Sequence, residues 1–187
     1  AQALNSLSSA VAAAPDYKSA NSLTVSESGS DALKAFAVSA EAVLLKNTAN
    51  ATKTPLGYLK SILQENDTTA LPHLSSIANM YRSSAAGLAA LPVPEELAAD
   101  NLALINALMR MSQITLDFTK ADTDPLSTIL ALQQYTSVAQ ALGTAFLNIG
   151  NVYATAGITL QAGTPGAAFV NFASEVMAAD QATAPKP

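Results

Sequence analysis

From Leu126 to Ser174 the chain runs for 49 residues without one Asp, Glu, Lys or Arg, although the 187-residue protein carries 14 acidic and 9 basic side chains. Such a stretch is too poor in charge for a solvated surface. It is also too interrupted by Ser, Thr, Asn, Gln and Gly to supply the roughly 18 consecutive apolar residues of a membrane span. Most of it must therefore pack against protein. Within it Gly143, Gly150 and Gly157 recur every seven residues, which keeps them on one helix face with a drift of roughly 20° per heptad. A glycine inside a helix costs about 1 kcal/mol relative to alanine, so three together cost about 3 kcal/mol, and something must offset that. Ala139, Gly143, Phe146, Gly150, Ala154 and Gly157 form a mostly small-residue stripe that lets another backbone come close. The helix-packing or interface residues are expected here. The cover is a helix of the same domain, a neighbouring subunit or a ligand, unless Gly150 or Gly157 simply ends the helix. The other face, Leu126, Ile129, Leu130, Leu142, Ile149 and Val152, reads as core.

The rest of the chain shows helical period with breaks at proline or at Asn/Asp clusters. Residues 1–30 are rich in Ser and Ala. Leu4, Leu7 and Val11 share a helical face that Pro15 ends, Ser22 to Ser26 alternates like a short extended segment, and the whole reads as an N-terminal arm. A helix over 31–49 follows, with Leu33, Phe36, Ala37, Ala40, Val43 and Leu44 on one face. Thr54-Pro55 opens a helix over 55–65, by the logic of a capping side chain followed by proline. The next spans 69–90, with Leu74, Ile77, Ala78, Tyr81, Ala85 and Leu88 inward. Leu91-Pro92-Val93-Pro94 forces an extended connection. A long helix over 94–121 comes next, its opening Glu95 and Glu96 suited to the helix dipole. Asp124-Pro125 opens another to about 157, and Thr164-Pro165 a shorter one to about 179. The expected fold is all-α, a bundle of about five to six helices with short, proline-marked connections. It forms a single domain over 31–180, with a tail over 181–187.

Chemistry is hard to find in this pattern. There is no cysteine and one histidine, His73, so disulfides, thiolate catalysis and an ordinary zinc site are excluded. No serine sits in a nucleophile-elbow context, and no glycine loop for phosphate is present. Asp117, Asp122 and Asp124 surround one turn, but the spacing lacks the central glycine and closing glutamate of a calcium loop. A net charge of −5 argues against binding nucleic acid, which needs clustered Lys and Arg. Asn50-Ala51-Thr52 and Asn66-Asp67-Thr68 match the glycosylation acceptor pattern. No enzyme activity and no cofactor are expected.

Leu91-Pro92-Val93-Pro94, the following Leu102 to Leu108 and Asp124-Pro125-Leu126 resemble segments of a group of exported helical proteins from candidate-phylum bacteria, often in a pilus- or membrane-associated context. The resemblance covers roughly residues 56–136. It implies an extracytoplasmic helical domain and carries no catalytic residues, and the chain shows no anchor segment of its own. Sparse charge, abundant Ser, Thr, Asn and Gln, and a start at Ala1 without methionine agree with export. The expectation is therefore an extracytoplasmic, non-catalytic structural or interaction protein, a subunit of a surface assembly whose partner is itself or another surface protein. The alternative is a helical carrier of an apolar small molecule, bound between helices near Leu126–Phe172.

Overall fold

The computed structural model describes residues 17–172. The fold is an all-α bundle. Its helices are α1 (Ser30–Lys46), α2 (Pro55–Glu65), α3 (Ala70–Ala89), α4 (Ala98–Phe118), α5 (Pro125–Thr155) and the described part of α6 (167–172). Two short strands, β1 (Val25–Ser26) and β2 (Val93–Pro94), pair in parallel, with Val25 opposite Val93. The expected helix face of Leu4, Leu7 and Val11 lies outside the described residues, as do residues 173–179 of the helix expected to reach 179 and the tail.

α4 is the axis of the bundle, with α3 along one side and α5 along the other. Its burial is accordingly broad. Leu104, Ile105, Leu108, Met111, Ile114 and Phe118 all point into the protein. Two apolar clusters result. One joins α1, the C-terminal half of α3, the N-terminal half of α4 and the C-terminal half of α5. The other joins α2 to the opposite halves of α3, α4 and α5. Tyr81 and Leu142 pack against both. Polar side chains tie helix to helix inside this packing. Ser112 Oγ donates to the Ala78 carbonyl at 2.8 Å, and Thr128 Oγ1 to the Asp117 carbonyl at 2.9 Å.

Two of the three cap-plus-proline signals work as expected. Thr54 accepts from the Gly57 N–H at 3.2 Å, and Asp124 from the Ser127 N–H at 3.1 Å. The third does not. Residues 164–166 form a turn, Thr164 Oγ1 donates backwards to the Gln161 carbonyl, and the helix starts at 167. The reason is tertiary. Gly166, at φ +88°, lies so close to α1 that a Cβ would stand 2.9 Å from that of Ala37. Glu41 of α1 reaches across to accept the Ala168 N–H at the start of α6.

The long helix expected from Pro94 is also modified. Pro94 belongs to β2, and Glu95–Leu97 form a 3-10 turn before α4. Glu95 and Glu96 do more than face their own helix. Glu96 accepts the Gly29 N–H at 2.8 Å and Glu95 accepts from Ser28 Oγ, so both hold the entry to α1. Residues 17–30 lie on the bundle. The Val93 N–H donates to the Thr24 carbonyl, and the Asn106 amide makes two hydrogen bonds with the backbone of Lys18.

Candidate functional site

α5 is 31 residues long, about 46 Å at 1.5 Å per residue. Its inner face is Thr128, Ala131, Val138, Ala145, Phe146, Ile149 and Tyr153. This corrects part of the expected core. Ile149 is buried, Leu130, Leu142 and Val152 are half-buried, but Leu126 and Ile129 are each 48 % exposed and Leu132 is 45 % exposed. The Thr128 hydrogen bond to α4 sets the rotation of the first turn and turns Leu126 and Ile129 outward. Below them the outer face carries Gln133, Thr136, Ser137, Gln140, Thr144, Asn148 and Asn151, all exposed and all uncharged.

The small-residue stripe runs along the edge of the inner face. Ala139, Gly143 and Gly150 are half-buried, and Ala154 and Gly157 are exposed. Phe146 is buried in the protein's own core and meets α6, its ring 6.3 Å from that of Phe169 and 4.7 Å from that of Phe172. Gly157 ends the helix. It sits at φ +68°, its N–H bonds the Ala154 carbonyl, and the Ile158 N–H bonds the Tyr153 carbonyl. This is the Schellman pattern, which a residue without a Cβ adopts most easily.

A second feature lies where α1, α3, α4, α5 and α6 meet. It is an apolar groove of about 360 Å³, walled by Leu44, Leu45, Leu108, Leu142, Phe146, Phe169 and Phe172. Glu41, Asn47, Tyr81 and Ser84 add polar atoms to the lining. The volume falls within the roughly 300–1,000 Å³ of small-molecule sites. Burial, helped by the proximity of Tyr135, pushes the Tyr81 phenol up to about 12, so it stays a neutral donor at ordinary pH. A larger depression beside the groove, about 490 Å³, is bordered by Lys46, Ser75, Ser76, Asn79 and Ser83 and is more open to solvent.

The expected polar candidates do not converge. His73 Nδ1 lies 3.0 Å from the Asn50 carbonyl oxygen, and its ring stacks on Tyr58 with centroids 4.9 Å apart. It ties the start of α3 to the loop before α2. Asp117 is paired with Lys120 at 2.7 Å and accepts from Gln113. Asp124 is the cap of α5. Among the described residues no group of three or more His, Cys, Asp or Glu is placed to hold a metal ion, and no helix is long and apolar enough to cross a membrane.

Sequence reasoning passed over Ser84. Its position was a signal, since it falls three residues after Tyr81 and four before Leu88, a polar residue on the inward face of α3. Comparison with protein-family models, curated proteins and solved structures gives no match. The functional reading therefore rests on these two surfaces.

Proposed function

We propose that this chain is a non-catalytic interaction protein of an extracytoplasmic compartment, packing through the outer face of α5 onto a second copy of itself or another surface protein. The observation that supports it is the cluster of Leu126, Ile129 and Leu132 exposed on a helix without a charged residue. Interface cores are depleted of charge. Burying the rest of three half-covered side chains is worth roughly 1 kcal/mol each, well short of the ~8 kcal/mol of a micromolar complex. The contact must then extend along the uncharged Gln, Thr, Ser and Asn residues below. Light scattering coupled to size exclusion, over a wide concentration range, tests the reading. The expected result is association that Ile129→Lys abolishes without loss of helicity. A strict monomer at high concentration that also captures no partner sinks it.

A second reading, a carrier of an apolar small molecule, is supported by the groove beside Phe146, Phe169 and Phe172. Native mass spectrometry of the purified protein tests it through the mass of any retained compound.

A further inference from the structure

Seven polar side chains are buried among the described residues: Ser61, Ser84, Asn101, Asn106, Ser112, Thr115 and Thr128. Five have partners. Ser61 bonds Gly57 and Lys53, Asn106 bonds Lys18, Ser112 bonds Ala78, Thr115 bonds Met111 and Thr128 bonds Asp117. Asn101 is sealed and unpaired. Ser84 is the seventh. It is only 3 % exposed, bonds none of the described residues, and lines the apolar groove. A serine inside a helix ordinarily returns its proton to a carbonyl one turn back, as Ser61 does to Gly57 and Thr115 to Met111. Ser84 leaves that option unused, and its oxygen, unlike the sealed amide of Asn101, stays open to the groove that it lines. A molecule in the groove would satisfy it.

Charge narrows what that molecule is. Among the described residues Glu41 is the one charged residue in the lining, and its carboxylate already accepts the Ala168 N–H at 3.2 Å. Among the described residues no Lys, Arg or His lines the groove to balance an anion. An ionised fatty acid would bring a second negative charge beside Glu41 into apolar surroundings, where unpaired charge is disfavoured. A neutral compound carries no such penalty.

We propose that the groove binds a neutral lipid-like molecule, an apolar body bearing one hydroxyl or carbonyl oxygen, with that oxygen hydrogen-bonded to Ser84 Oγ. This rests on the carrier reading above and adds the ligand class and the residue that selects it.

The test uses the full chain and the neutral fluorescent probe N-phenyl-1-naphthylamine, displaced by 1-decanol or by decanoate at neutral pH. Decanol is expected to displace the probe at a concentration at least about tenfold lower than decanoate. Ser84→Ala is expected to weaken decanol about fivefold, the size of one lost neutral hydrogen bond, while the probe itself binds within about twofold of the parent. The variant loses no internal hydrogen bond, so its ligand-free unfolding midpoint should be unchanged or higher, which separates a binding effect from damage to the fold. Ala168→Trp, placed in the groove wall, should weaken both probe and decanol. Equal displacement by decanoate, or decanol binding unmoved by Ser84→Ala, overturns the proposal and leaves a carrier of another specificity. Failure of the parent protein to bind either probe or decanol, with titration calorimetry as the direct check, removes the carrier reading and this proposal together.

Discussion

Asn101 sits in the first turns of α4 with no exposed surface, and neither its amide nitrogen nor its carbonyl oxygen meets a partner. A sealed, unpaired amide is an expense the fold does not need, because replacing a buried polar group by an apolar one of similar shape is neutral or stabilising. Asn101→Leu should therefore keep or raise stability, by up to about 1 kcal/mol in urea unfolding. Tyr153 is the opposite case. Its buried hydroxyl donates to the Leu33 carbonyl at 2.8 Å, and burial raises its phenol well above the ordinary range. Tyr153→Phe should cost about 1 kcal/mol in the same measurement. Neither role was legible in the sequence. An asparagine in a helix reads as solvent-facing, and a tyrosine among apolar residues reads as core, because what decides each, the packing that seals Asn101 and the Leu33 carbonyl that Tyr153 meets, comes from elsewhere in the fold.

At the scale of single elements, α5 begins with a carboxylate that responds to pH. Asp124 is held below the usual carboxylate range by the Ser127 hydroxyl first and the Ser127 N–H second. Its folded value lies below its unfolded one. The cap's contribution is therefore complete above about pH 4, the ordinary aspartate value, and is lost as pH falls through the lower folded value. Asp124→Asn, which keeps a capping oxygen, should flatten that part of the stability profile when urea midpoints are compared between neutral and acid pH. α1 and α3 meet differently. A Cβ on Gly87 would stand 2.5 Å from Val43 Cγ1, and a β-branched side chain has little freedom to retreat. Gly87→Ala gains about 1 kcal/mol of helix propensity, but overpacking costs about 1–3 kcal/mol, so a net loss is expected in the urea midpoint. Helix number and most boundaries were readable from period, caps and prolines. The glycine that seats one helix against another was not, since Gly143 and Gly150 stand out by spacing while Gly87 stands alone in α3. The start of α6 also escaped, because Glu41 and the close contact with Ala37 override its own Thr-Pro signal.

For the molecule as a whole, the all-α class and the charge-free C-terminal region were legible; a ligand site near Leu126–Phe172 was an expectation, but the walls that α1, α3 and α4 give the groove were not legible. It is assembled from five helices, none of which carries a signal for it alone. Contacts at and beside the groove also close the bundle. Tyr153 bonds Leu33 across 120 positions, Ala168 bonds Glu41 across 127, and the Phe36 and Phe169 rings meet edge to face at 5.8 Å. A chain ended before Gly166 should lose cooperative unfolding in circular dichroism, because the face of α1 that holds Phe36 and Ala37 would stand open to water. The same closure sets an order of events in time. Contacts between distant parts of a chain form slowly, since the loop between them must first be drawn together, and domains emerge from the ribosome N-terminal end first. Here the first helix waits for nearly the last residues of the bundle before its burial is complete. While it waits, the apolar face of α1 that holds Phe36 and Ala37 stays uncovered, open to a chaperone for nearly the whole length of synthesis.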